Sequence, residues 1–154
     1  MDKTRRTFCA TACRAASVAA AGTAFGAVFD ACSGSPGSGV NAQNLPVVSG
    51  SFANAAITVS VAGSSPLAAV GALAIVTSSG GNVLVARTSA TTFNALSSGC
   101  THAACTVSGF SGQTFVCPCH GSEFDINGRV VNGPAVVGLS QLRTALNGTV
   151  LTIT

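Results

Sequence analysis

The 154-residue sequence predicts an all-β domain behind an N-terminal leader. Three observations carry that reading. Short runs alternating apolar and small polar residues recur, separated by turn residues. Val, Thr and Ser are frequent and Gly occurs 18 times, a mixture that suits strands and turns. No segment outside the leader sustains a 3.6-residue apolar period. Hydrophobic residues make up 47% of the chain, enough for a real core.

In chain order, residues 1–32 read as an export signal. Lys3, Arg5 and Arg6 precede a mostly apolar run from Ala15 to Phe29. That run has 15 residues, against about 20 needed to span a bilayer. Arg5-Arg6 with Phe8 resembles a twin-arginine signal, which serves proteins exported already folded; the competing reading is an ordinary secretory signal. Cys32, before Ser33-Gly34-Ser35-Pro36, resembles a lipoprotein site, with Asp30 as a departure. A lipid on Cys32 would be a marginal anchor by itself. Val40-Asn41-Ala42 is an alternative cleavage site, and a retained leader is a third reading. Residues 33–44 read as a Ser/Gly-rich tether, and 45–154 as the domain.

Within the domain, Ile57–Val61 alternates apolar and small polar residues, as a half-buried strand does. Ala72–Val76 and Val83–Arg87 flank Ser78-Ser79-Gly80-Gly81-Asn82, a hairpin. Thr92–Ser97 is a strand leading into the first cysteines. Asn127-Gly128 and Asn147-Gly148 each lie between short apolar runs and predict type I′ hairpins.

Charge excludes one class of partner. Of seven basic residues, four lie in the first fourteen positions. Beyond Cys32 only Arg87, Arg129 and Arg143 face Glu123 and Asp125, leaving +1. There is no basic stripe, so no nucleic-acid partner is expected.

Chemistry concentrates in one window. Cys100-Thr101-His102-Ala103-Ala104-Cys105 and Cys117-Pro118-Cys119-His120-Gly121-Ser122 hold four of the seven cysteines and both histidines. Four clustered cysteines in an exported protein ordinarily suggest two disulfides, but that leaves the histidines without a role. A zinc site is the second alternative, although C-x-H is tighter than usual zinc spacing and Cys105 and Cys119 would be idle. One Cys and one His per box matches the division in a Rieske centre, with thiolates on one iron and imidazoles on the other.

On these boxes the sequence resembles the Rieske family, specifically the disulfide-containing branch of cytochrome bc-type complexes. The resemblance is strongest from Cys100 to Pro134. It implies stacked antiparallel sheets, with a cluster-binding part (about 99–134) inserted in a base domain. It implies one [2Fe–2S] cluster ligated by Cys100, His102, Cys117 and His120, and a Cys105–Cys119 disulfide tying the two loops. Gly121–Asp125 matches the stretch after the second box, where Ser122 is expected to donate to cluster sulfur. Gly133-Pro134-Ala135 matches the family's proline loop over the cluster. Coupling of electron and proton uptake at the noncoordinating imidazole nitrogens implies a midpoint that falls at alkaline pH.

Three departures matter. Phe124 stands where high-potential members carry Tyr, whose hydroxyl donates to a ligand sulfur. One such donor kept and one lost implies a midpoint of about +50 to +200 mV. Ala103-Ala104 replaces a Leu-Gly pair, which weakens the case for docking as a cytochrome bc subunit. The apolar run is short for a subunit anchor. The chain is therefore expected to be a standalone one-electron carrier of the bacterial cell envelope, with redox proteins as partners. The alternative is the iron–sulfur subunit of a quinol:cytochrome oxidoreductase. The third class, an oxygenase ferredoxin, ordinarily lacks the disulfide and the export signal. No catalytic acid, base or nucleophile stands out.

Overall fold

A computed structural model describes residues 41–154. The export signal, Cys32 and most of the tether lie outside these residues. No helix occurs among the described residues. The strands are β1 (Gln43–Asn44), β2 (Val47–Ser49), β3 (Ser51–Ala53), β4 (Ala56–Ser60), β5 (Leu73–Ser78), β6 (Gly81–Arg87) and β7 (Phe93–Ser97). They continue with β8 (Gly109–Ser111), β9 (Thr114–Val116), β10 (Glu123–Phe124), β11 (Val130–Asn132), β12 (Gln141–Leu142), β13 (Thr144–Asn147) and β14 (Val150–Ile153). They form three sheets, ordered β1-β8-β9-β10-β11, β12-β7-β6-β5-β2 and β13-β14-β4-β3.

The second sheet lies between two cores, and its sequence shows why. Along β5, Leu73 and Ile75 join one core while Ala74 and Val76 join the other. Along β6, Leu84 and Ala86 oppose Val83 and Val85 in the same way. Successive side chains leave a strand on opposite faces, so a sheet covered twice needs unbroken apolar runs. β4 is covered once and alternates instead: Ile57 and Val59 are buried, and Ser60 is exposed. Full burial of each such Leu, Ile or Val contributes about 1.5–3 kcal/mol.

The first sheet is largely an insertion. β7 and β12 are neighbours in the second sheet, Leu96 opposite Gln141. The chain between them makes β8 to β11. One strand comes from elsewhere: Gln43 and Asn44, read as the end of the tether, pair with Phe110 and Gly109 as β1.

Not every pairing is antiparallel, as the sequence reading expected. β2 runs parallel to β5, Val47 opposite Ile75. No hairpin joins these strands, because the chain leaves β2 at once for β3 in the third sheet. Gly50 makes that crossing, where a Cβ would lie 2.9 Å from Ile57 and from Val76.

Both Asn-Gly hairpins form, but not as type I′ turns. Gly128 takes φ +82° while Asn127 stays out of the left-handed region. The Gly128 N–H donates to the Asp125 carbonyl, closing the turn one residue early. Asp125 causes the shift, since its Oδ1 accepts from the N–H groups of Asn127 and Arg129. At the other hairpin Asn147 pairs with Val150. Gly148, at φ +59°, is the first of two loop residues, the II′ pattern. A hairpin absent from the sequence reading joins β3 to β4 through Asn54 and Ala55, both at positive φ.

Arg87, which the sequence offered only as a charge, ties the loops at one edge together. Its guanidinium donates to the carbonyls of Leu67, Ala68, Ser89 and Ala90 and lies 5.1 Å from the Phe93 ring centroid.

Candidate metal centre

The two cysteine boxes have the same backbone. Box one leaves β7 through Ser98-Gly99, and box two joins β9 to β10. In the first, the Cys100 N–H donates to the Cys105 carbonyl and the Ala104 N–H to the Cys100 carbonyl, both at 2.8 Å. In the second, the Cys117 N–H donates to the Ser122 carbonyl at 2.8 Å and the Gly121 N–H to the Cys117 carbonyl at 3.0 Å. The residue four past each cysteine is left-handed: Ala104 at φ +56° and Gly121 at φ +72°. Each loop therefore curls around its leading cysteine and turns that sulfur inward.

The donors divide by depth. Cys100 and Cys117 are free thiols, 4% and 1% exposed, in the core with Phe115, Phe124 and Leu139. His102 and His120 are exposed, their rings 4.9 Å apart and nearly perpendicular. Cys105 and Cys119 form a disulfide joining the boxes.

The thiols are electrostatically unlike. Burial pushes Cys100 up, but the backbone N–H groups of His102 and Ala103, with the Cys117 thiol and Ser122 hydroxyl, more than reverse it. Cys100 ends below the ordinary thiol range. Burial and the neighbouring Cys100 hold Cys117 above that range, against N–H groups of Cys119 and His120. Amide hydrogens aimed at both sulfurs stabilise thiolates, the form that binds metal.

A third segment closes the site. Gly133, at φ +91°, lies so close to the second box that a Cβ would fall 2.6 Å from the Gly121 carbonyl oxygen and Ser122 Cα. Ser122, fully buried, accepts from the Ala135 N–H at 3.2 Å through its hydroxyl oxygen. Thr101 donates from its hydroxyl to the Val137 carbonyl at 2.5 Å. The proline loop is thus fastened to both boxes, with Ala135 inside and Pro134 exposed at the rim. Thr101 escaped the sequence reading, since nothing in its spacing announces a partner 36 residues away. Phe124 is fully buried beside the two thiols, in the same core.

Among the described residues, no three His, Cys, Asp or Glu side chains gather as around a single metal ion. Four donors in two pairs, one inside and one at the rim, suit a binuclear centre better than tetrahedral zinc.

Ala104 bears a penalty that glycine would not. The left-handed backbone costs a residue with a Cβ about 1–2 kcal/mol. Ala104 is exposed. Ala104→Gly is expected to gain about 1 kcal/mol after glycine's greater loss of chain entropy. A thermal midpoint raised by a few degrees checks this; an unchanged or lower midpoint contradicts it.

Comparison with known proteins agrees with this geometry. The Rieske [2Fe-2S] domain matches residues 58–143, more than half of the chain. The cytochrome b6-f complex iron-sulfur subunits of Prochlorococcus marinus strains AS9601 and MIT 9211 are 55% and 52% identical over 42 residues. That stretch is 27% of this chain and 24% of each subunit, so the chain spans about a quarter of these relatives. The crystal structure of the cyanobacterial plasma membrane Rieske protein PetC3 from Synechocystis PCC 6803 superposes with a TM-score of 0.51 at 31% identity. The match covers 62% of this chain and 98% of that one. Family match, shared fold and inter-box disulfide together establish that the chain belongs to the Rieske family and binds one [2Fe–2S] cluster.

Proposed function

We propose that this Rieske protein is a standalone one-electron carrier of the bacterial cell envelope, its cluster held by Cys100, His102, Cys117 and His120. When bound, the cluster supplies one reversible electron, thiolates holding one iron and imidazoles the other. The observation that carries the ligand assignment is the depth of the donors: two buried thiols and two exposed imidazoles. Amide groups of both boxes point at the sulfurs and would favour their thiolate form once iron is bound. The imidazole edges offer a short route to a partner. Phe115 and Phe124 keep water from the thiols, while the disulfide and proline loop keep the boxes together.

An envelope location is supported by the basic, apolar leader and by a disulfide, which persists in oxidising compartments. PetC3, a plasma membrane protein, is a relative in that setting. The standalone role is supported by Ala103 and the short apolar run. Similarity to cytochrome b6-f subunits favours the second reading, a quinol:cytochrome oxidoreductase subunit. Purification from the source membrane distinguishes them: a carrier separates from b-type haem, whereas a subunit travels with it. In either case about two irons and two acid-labile sulfides per chain are expected. Cys100→Ser and His120→Ala proteins that retain both at wild-type levels would remove the ligand assignment.

Phe124 sets a measurable property of the site. A hydroxyl added by Phe124→Tyr, donating to ligand sulfur, favours the reduced, more negative state. One such bond of about 1.4 kcal/mol corresponds to about 59 mV for one electron. The midpoint is expected to rise by about 50 mV in a redox titration. An unchanged or lower midpoint would show that the hydroxyl does not reach sulfur.

A further inference from the structure

One polar side chain stands where the second sheet is otherwise apolar. Along β7, Phe93 and Ala95 join one core, and Leu96 joins the core that also holds Cys100 and Cys117. Asn94 shares the face of Leu96, because side chains alternate along a strand. Its register partner on β6 is Ala86, a member of the same core as the two thiols. A polar residue in such a place calls for partners. Asn94 has two. Its side-chain amide donates at 2.9 Å to the Ile126 carbonyl and at 2.9 Å to Asn127 Oδ1.

Both acceptors lie in the turn between β10 and β11, 32 and 33 residues further along the chain. That turn meets the site on two sides. It follows directly on Phe124, which is buried in the core of the thiols. Its Gly128 carbonyl accepts from the Leu139 N–H at 2.7 Å, where the chain leaves the proline loop. A Cβ on Gly128 would lie 2.8 Å from the Leu139 carbonyl oxygen, so turn and loop are in close contact. A second amide of the sheet, that of Gln141 on β12, donates to the Asn127 carbonyl at 2.8 Å. Gln141 is exposed, whereas Asn94 is half-buried and less open to competing water.

We propose that Asn94 is a positioning residue for electron transfer. From the second sheet, and through Ile126 and Asn127, it sets where Phe124 and the proline loop lie against the sulfurs. It touches no metal donor itself. The inference rests on the cluster-carrier reading and adds what holds the apolar shell that controls access of water to the centre.

Full-length, cluster-loaded wild type is compared with Asn94→Ala, Asn94→Asp, Asn127→Ala, the Asn94→Ala/Asn127→Ala pair and Gln113→Ala. The readouts are bleaching of visible absorbance under chelator, the reduced-state EPR spectrum and denaturant unfolding. Gln113 is the structural control: its amide donates to the Gly71 carbonyl at 2.9 Å, tying the β8–β9 turn, away from the boxes, to the preceding loop. Asn94→Ala is expected to bleach about tenfold faster, through the loss of its two hydrogen bonds, and to shift the EPR g-values. Asn94→Asp keeps the size of the side chain but sets oxygen against two oxygens, so it should behave as Asn94→Ala does. In the Asn127→Ala background, Asn94→Ala should cost less than it does alone, both in bleaching and in unfolding. Gln113→Ala should keep the wild-type spectrum and bleaching rate, whatever it costs in unfolding. An Asn94→Asp protein that matches wild type overturns the proposal. So does an Asn94→Ala protein that unfolds more easily but keeps the wild-type spectrum and bleaching rate. Where Asn94→Ala does not fold, Asn127→Ala decides by the same readouts. A wild-type protein that holds iron but gives no reduced-state signal removes the carrier reading instead, and bleaching with unfolding still decides the role of Asn94.

Discussion

Replacing both Cys105 and Cys119 by serine is expected to lower stability by about 3 kcal/mol and to hasten loss of the cluster. The disulfide closes a loop with a sequence separation of 14. Cross-links of that span stabilise chiefly by restricting the unfolded chain, by about 3 kcal/mol. A native-state effect adds to this. The disulfide joins boxes that the proline loop also fastens together, through one hydroxyl on each side. Without the bond the boxes separate more easily, and chelator reaches iron sooner. Denaturant unfolding measures the first effect, and the decay of visible absorbance under chelator the second. A double variant matching wild type in both would show that box turns and proline loop suffice. The double replacement is the right comparison, because a single one leaves a reactive thiol.

Gly133→Ala is expected to cost about 3 kcal/mol or more and to release the proline loop from the second box. Two penalties coincide. The backbone at φ +91° is one that residues with a Cβ rarely adopt. The added carbon would also sit 2.6 Å from two backbone atoms, which cannot rotate away as a side chain can. Gly112→Ala separates the two penalties. Gly112 is also at positive φ, +57°, but a Cβ there meets nothing within 4 Å. It should lose only the conformational share, about 1 kcal/mol. Equal losses at Gly112 and Gly133 would mean that the loop yields freely. A larger loss at Gly133, with faster iron release, would show that its packing on Gly121 and Ser122 is part of the site.

What was legible in the sequence was local. Alternation in Ile57–Val61 and the apolar runs of β5 and β6 marked strands, but that the sheet of β5 and β6 is covered on both faces only the packing of the two cores decided. The glycines of both Asn-Gly pairs marked the hairpins, because few other residues take positive φ. Their turn types were not legible. At Asp125 a side-chain oxygen competed for two backbone N–H groups, and dipeptide preference knows nothing of such a neighbour. Ala104 was legible only through the resemblance, which puts a glycine there, and its left-handed backbone gives the physical reason. The strand made by Gln43 and Asn44 was invisible because its apolar support comes from the sheet it joins, not from its own residues.

The sequence by itself determined the donor chemistry: sulfur and imidazole in two boxes, poor in charge, and enough to mark a Rieske centre. Only the tertiary structure decided that two sulfurs turn inward, that both rings face out, and that Thr101 and Ser122 share the task of holding one loop. Which atoms are present is a property of residues. Where they meet depends on contacts between segments far apart in the chain, and those contacts form only when the sheets pack and exclude water.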